Sequence, residues 1–301
     1  KIRPETIASM DDIEPFVEPY NWGGSDGFST SYVRFNDEQK YKYDPVIDSI
    51  NIWFQRNWHK MTDKKKMEWK YQRYMQKYLR TVASVDESVG TLLDTLDEEG
   101  ITEDTMVIYT SDQGFFLGEH GWFDKRFIYE ESFRMPFLIQ FPGVVEPGTT
   151  VDSMLSNVDF APTWLDFAGA PIPNYMQGNS MRQILEGNEP ESWQKTAYHR
   201  YWMNQDHNHN AYAHYGIRDH RYKLIYWYNE ACDTPGSESP DFKEKDWELF
   251  DTQEDPLELF NCFKEKDKRD IVERMIGLLD QKMAEIGDVP EHITNDVLQK
   301  L

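Results

Sequence analysis

The chain is short of basic charge, of cysteine and of long apolar runs. Its 301 residues carry 32 Lys and Arg against 54 Asp and Glu, a formal charge of −22. That balance supplies no broad basic footprint, which argues against nucleic acid or an anionic membrane as partner. Two cysteines, Cys232 and Cys262, do not make a disulfide framework. A pairing between them stays open, with free thiols the favoured state. No run of about twenty apolar residues occurs, so no membrane span is expected. The first residue is Lys rather than Met, so the lack of a secretory signal is uninformative. No Asn-x-Ser/Thr sequon, internal repeat or low-complexity tract is found. What is there is apolar enough to fold: 39% hydrophobic and 15% aromatic residues fit one large domain or two medium ones with a sizeable core.

Residues 1–36, rich in Pro, Gly, Asp and Ser, read as loop. An aromatic stretch over Ile47–Trp58 reads as helical. From Thr62 a long helix is expected, with Tyr71, Met75, Tyr78, Val82, Val85, Val89, Leu92 and Leu96 on one apolar face. Thr62 would be its N-cap and Gly100 its C-terminal stop. The β-branched run Thr105–Tyr109 has the length of a buried strand, and Phe137–Phe141 is a second short strand closed by Pro142-Gly143. Asp159–Gly169 reads as an amphipathic helix with Pro162 tolerated in its first turn, and Gly178–Gly187 as another short helix. Asp86, beside the apolar face of the long helix, reads as a packing or capping contact. After about Pro190 the pattern changes to short aromatic strands, Thr196–Tyr201, His214–Arg218, Tyr222–Tyr228 and Trp247–Asp251. A terminal helix follows over Asp267–Ile286. The expected fold is α/β, with an α+β subdomain and antiparallel sheet over residues 191–301 following an α/β portion over residues 1–190.

The segment Thr110–Arg126 carries the chemistry. It follows the first strand, where ligands of open α/β sheets bind. Asp112 and Gln113 offer oxygen ligands for a hard cation. On the residues alone, an Asx-type turn with Gln113 in solvent accounts for them equally well. Lys125 offers a charge for an anionic oxygen, though a solvated lysine is the commoner fate. Cation plus metal at one strand end suits a phosphate or sulfate ester. His120, in Gly118-Glu119-His120-Gly121, reads as a loop-ordering or substrate-lining residue held by Glu119. Arg126 could reach substrate, but pairing with Glu130 or Glu131 to hold the loop is the preferred role. Trp122 and Phe123 are the aromatics expected to touch substrate, the rest being core. His214 and Arg218 share a strand face. With Lys125, Arg126 and Arg134 they could form a basic pocket on this negative protein. His207-x-His209 reads as a polar loop lacking the further ligands of a zinc site.

Thr-Ser-Asp-Gln-Gly after a strand, then Leu-Gly-Glu-His-Gly and a Lys thirteen residues after the Asp, resembles the second metal segment of the type I sulfatases of the alkaline-phosphatase superfamily. Tyr129-Glu130-Glu131-Ser132, Met135-Pro136-Phe137-Leu138, Gly216-Ile217-Arg218, Arg221-Tyr222-Lys223-Leu224, Trp247-Glu248-Leu249-Phe250-Asp251 and Asp255-Pro256 extend the likeness over residues 67–263. The resemblance implies an alkaline-phosphatase-like α/β domain and hydrolysis of a sulfate ester on a carbohydrate by a formylglycine nucleophile. It implies Ca2+ held in part by Asp112 and Gln113, Lys125 on a sulfate oxygen, and His120, Arg126, Trp122 and His214 lining the substrate. The formylglycine precursor motif Cys/Ser-x-Pro-x-Arg is absent. Asp11-Asp12, the sole Asp-Asp pair, lacks the flanking strand of the early metal pair. The chain therefore reads as the C-terminal half of such an enzyme, inactive alone, expected to associate with the N-terminal half or with itself. A periplasmic or secreted bacterial location follows from the same likeness. The alternatives are a phosphomonoesterase or phosphodiesterase of the superfamily, or a non-catalytic remnant that binds sulfated glycan.

Overall fold

A computed structural model describes residues 34–205, 210–238, 244–292, 294 and 297. Asp11-Asp12, His207 and His209 lie outside the described residues. The described residues divide into two compact units, one built from residues 93–116 and 124 onward, the other from residues 34–92 with 117–123.

In the second of these, α1 (Asp37–Asn57) starts at a reciprocal cap. Asn36 accepts from the Gln39 N–H at 2.8 Å and the Gln39 side chain accepts from the Asn36 N–H at 2.9 Å. The helix thus begins ten residues before the aromatic stretch that signalled it. Phe54, buried at its end, packs against Trp58 and Trp69 with ring centroids 4.7 and 4.8 Å apart. The long helix α2 spans Asp63–Glu98. Thr62 accepts from the Lys65 N–H at 3.4 Å, and the helix ends at Gly100 (φ +67°), where the Ile101 N–H bonds Leu96 O. That is the cap chemistry its ends require. Among the described residues its apolar face is covered only in part: Met75, Tyr78, Val89 and Leu96 are half-buried, while Tyr71, Val82, Val85 and Leu92 are exposed. Asp86 is exposed as well and lies inside the helix, away from either end.

In the other unit, β1 (Val107–Thr110) pairs antiparallel with β4 (Phe137–Gln140), Val107 opposite Gln140. The strand starts later than the apolar run suggests because Thr102–Asp104 form a 3-10 turn, onto which the Thr105 N–H closes. It is half-buried rather than buried, with Tyr109 exposed. Between them lie two short paired strands, β2 (Phe116–Leu117) and β3 (Phe123–Asp124), and one helical turn, α3 (Glu130–Phe133). Helices α4 (Phe160–Phe167) and α5 (Arg182–Leu185) follow, joined through buried Asp159, which accepts from the Ser156 and Asn179 N–H groups and from Gln194.

The four remaining strands, β5 (Ala197–Tyr201), β6 (His214–Arg218), β7 (Tyr222–Trp227) and β8 (Asp246–Asp251), form an antiparallel sheet in sequence order. Alternate residues Tyr215, Ile217, Leu224, Tyr226 and Leu249 pack against Val272, Met275, Ile276, Leu279 and Met283 of the terminal helix α6 (Arg269–Ile286). The opposite face carries His199, His214, Lys223, Trp227, Glu248 and Phe250, as the register His214 to Trp227 and Lys223 to Phe250 dictates. That face is covered too. A Cβ at Gly216 would stand 2.4 Å from Leu224 O and 3.0 Å from Ile128 Cδ1, so the segment before α3 lies directly on the sheet. Cys232 and Cys262 are free thiols, one exposed and one buried. No helix among the described residues is long and apolar enough to cross a membrane.

Candidate functional site

The turn after β1 holds the two oxygen donors singled out by sequence. Asp112 is exposed, and its carboxylate accepts from Ser111 Oγ at 3.3 Å; Gln113 is half-buried. The turn is fixed from behind. The Gly114 N–H donates to Ser132 O at 2.8 Å, and Thr110 Oγ1 donates to Pro136 O at 2.8 Å. Gly114 sits so close to α3 that a Cβ there would lie 2.1 Å from Glu131 O and 2.5 Å from Arg134 O. Only glycine fits.

Lys125 is brought to the same loop: its ammonium lies 6.0 Å from the centroid of the Phe115 ring, three residues beyond Asp112. It is partly exposed and 3.4 Å from Asp124, a residue the sequence reading passed over; Arg126 lies 3.5 Å from the other oxygen of the same carboxylate. Two cations against one carboxylate leave a net positive charge for an anion. Asp124 (φ +77°) and Arg126 (φ +119°) hold backbone conformations that non-glycine residues rarely adopt, strain of the kind that collects at functional loops. Arg126 pairs with Asp124, and its N–H donates to Ser132 Oγ at 3.3 Å.

His120 (φ +57°) is half-buried, its ring 5.5 Å from that of Trp122, which is 1% exposed. Glu119 accepts from the Leu117 N–H at 2.6 Å, closing the turn through the backbone. Gly118 (φ +121°) and Gly121 (φ +80°) give the freedom expected of them. The side chain of Phe123 is not among those described.

The wider basic pocket does not assemble. His214 is fully buried, with Trp227 at 4.5 Å and Phe127 and Tyr201 each at 5.7 Å between ring centroids. Its Nδ1 lies 2.8 Å from Tyr212 O, and burial, aided by His199, pushes its pKa down to about 3, so it is neutral at pH 7. Arg218 donates to Glu130 at 2.8 Å and to Asp219 O at 2.6 Å, and Arg134 is exposed. His214 and Arg218 share a strand face as expected, but it is the covered face of the sheet.

Sequence reasoning missed the charges under α3. Lys223, 0% exposed, lies 2.7 Å from Glu130 and 2.8 Å from Glu258, itself 0% exposed. Glu258 also accepts from the Glu130 N–H at 2.7 Å. Burial alone would push the Glu130 carboxyl up, but Lys223 and Arg218 outweigh it and hold it below its usual range. For Glu258 burial wins and the pKa rises. The visible signal was a lysine inside the otherwise apolar run Tyr222–Trp227.

Hard oxygen donors at Asp112 and Gln113 fit calcium or magnesium chemically, but tight calcium sites take about six to eight oxygens. Among the described residues no group of three or more His, Cys, Asp or Glu side chains is placed to hold a metal ion. The pair can be only part of a cage.

Comparison with known proteins identifies the family. The family profile "N-sulphoglucosamine sulphohydrolase, C-terminal" matches residues 118–285, more than half of the chain, and the "Sulfatase" profile matches residues 22–170. An N-acetylglucosamine-6-O-sulfatase of Bacteroides thetaiotaomicron is 42% identical over 259 residues, 85% of this chain and 44% of that protein. A solved structure of a protein in complex with its substrate D-glucosamine-2-N,6-O-disulfate matches at 38% identity and TM-score 0.77, over 87% of this chain and 50% of that one. The phosphonate monoester hydrolase of Agrobacterium radiobacter matches at 25% identity and TM-score 0.56, over 68% of this chain and 39% of that one. The chain thus spans about half the length of the relatives it matches most fully. It belongs to the sulfatase family.

Proposed function

We infer that this chain supplies part of a sulfuric-ester hydrolase acting on a sulfated amino sugar. The observation that carries the reading is the pairing of two oxygen donors after β1 with a cation on the same loop, Lys125 over Phe115. Asp112 and Gln113 would ligate Ca2+ through carboxylate and amide oxygens. When bound, that ion concentrates positive charge at the ester oxygens. Lys125 would contact a sulfate oxygen, a role suited to a compact ammonium with rotatable donors. Asp124 keeps Lys125 and Arg126 from repelling each other until an anion arrives. A formylglycine nucleophile and the remaining metal ligands would come from the part of its relatives' length that this chain does not match. The exposed face of α2 suits association with that part. With Trp122 buried, His120 alone of the two would face substrate; residues 1–190 would be the α/β portion and residues 191–301 the C-terminal subdomain, and the protein would act in the periplasm or outside the cell. Similarity to the 6-O-sulfatase, stronger than that to the phosphonate hydrolase, favours a sulfate over a phosphorus ester.

The test is turnover of N-acetylglucosamine-6-sulfate by the whole calcium-loaded protein beside its Asp112→Ala and Lys125→Ala variants. Removing one group that stabilises developing charge costs about 10²–10³ in kcat, and each variant is expected to lose that much. Undiminished turnover in either would refute its role. The 301-residue chain on its own is expected to show no turnover. If instead it is a glycan-binding remnant, it will bind sulfated glycan without calcium and Asp112→Ala will leave affinity unchanged.

A further inference from the structure

The buried charges beneath α3 are unused by the chemistry above, yet they meet the metal turn through a short chain of contacts. Lys223 on β7 is fully buried and holds two carboxylates at once, Glu130 at 2.7 Å and Glu258 at 2.8 Å. Glu130 is the first residue of α3, and the Glu130 N–H is itself held by Glu258 at 2.7 Å. Two residues on, Ser132 O takes the Gly114 N–H at 2.8 Å, with no room for a side chain between turn and helix. Asp112 and Gln113 immediately precede Gly114. Glu258 reaches the lysine from a left-handed backbone at φ +50°, which a non-glycine residue uncommonly adopts. Two buried carboxylates around one buried ammonium are also an expensive arrangement for stability alone, because desolvation of buried ions commonly cancels their attraction.

We propose that Lys223 is a positioning residue for the Asp112–Gln113 turn, acting through Glu130, Glu258 and the Ser132 carbonyl. The inference rests on the reading of that turn as a cation site, and its test separates the two. Amide hydrogen exchange at Gly114 and the affinity for terbium, a luminescent substitute for calcium, are measured in the full chain. The comparison is between Lys223→Met, Lys223→Arg and a control, Tyr198→Phe, which removes the bond to Asp288 elsewhere on the sheet. Exchange at Gly114 is expected to rise at least tenfold in Lys223→Met and terbium affinity to fall about tenfold, with Lys223→Arg recovering most of both. The control should change neither. Unchanged Gly114 exchange in Lys223→Met, or an equal rise in the control, overturns the proposal. If Lys223→Met does not fold, Glu258→Gln, which keeps the shape and removes the charge, is read by the same criteria. Terbium affinity unmoved by Asp112→Ala would sink the cation-site reading, leaving the Gly114 exchange to decide the positioning claim.

Discussion

Gly114→Ala is expected to cost about 3 kcal/mol or more, the upper part of the range for overpacking a tight site. With a urea m-value of about 3 kcal/mol/M, the unfolding midpoint drops by about 1 M. The reason is the nature of the obstacle. The added methyl would meet Glu131 O at 2.1 Å and Arg134 O at 2.5 Å, both backbone atoms that no rotamer change can move. Relief requires α3 to leave the turn, breaking the Gly114 N–H bond to Ser132 O. Gly90→Ala is the control. Gly90 lies within α2 with nothing inside 4 Å of a Cβ, and the better helix former should stabilise by about 0.5–1 kcal/mol. Equal effects at the two positions would mean that the turn is not held against α3. Because Asp112 and Gln113 ride on this turn, Gly114→Ala should also weaken divalent-ion binding.

Periodicity made some of this visible and could not reach the rest. Residues Met275, Leu279 and Met283 recur at helical steps because one face of α6 meets the sheet, and the strands opposite alternate for the same reason. The stops at Thr62 and Gly100 were legible because caps are local chemistry. Asp112, Gln113 and Lys125 stood out because donors and a cation crowd one loop. The second face of the sheet was illegible. His214 read as substrate-lining and Lys223 and Glu248 carried no reading of their own, since alternation marks a residue as polar without saying what covers it. Their cover comes from Phe127–Phe133, far earlier in the chain. The contact is visible only in space: Tyr129 OH on Glu248 at 2.7 Å, Phe127 beside Trp227, Glu130 on Lys223. Gly114 was opaque for the same reason, since what excludes a side chain there is the backbone of α3. The exposed part of the stripe on α2 is the opposite case, a face read correctly as apolar that the described residues leave partly open.

Acidification should unfold the chain through its buried histidines well before the carboxylates titrate. His199 and His214 lie on one sheet face with ring centroids 5.8 Å apart, and among the described residues neither Nε2 has a hydrogen-bond partner. Around them are Phe127, Phe133, Tyr201 and Trp227, and the nearest fixed charge from β7 is Lys223. Burial, reinforced by Lys223, pushes His199 down to about 4; burial, reinforced by His199, pushes His214 down to about 3. In the unfolded chain both titrate near 6.5. Below that pH the unfolded state binds protons that the folded state refuses, so their contribution is whole above about pH 6.5 and drains away as pH falls towards 4 and then 3. Two such protons give a slope approaching about 2.7 kcal/mol per pH unit. Glu258 opposes this: its raised pKa favours the fold as pH falls, while Glu130, held low by Lys223 and Arg218 against its own burial, is lost with the histidines' sign. Asp251, at about 2 chiefly through its bond to Arg221, yields only below the histidine window. Urea unfolding between pH 7 and pH 4 checks the account, comparing the chain with its His199→Phe/His214→Phe variant. The variant should lose most of the slope over that interval, and its midpoint at pH 4.5 should exceed that of the unmodified chain. Parallel curves would show that the histidines are solvated in solution and that the face of the sheet carrying Lys223 opens more readily than its packing implies.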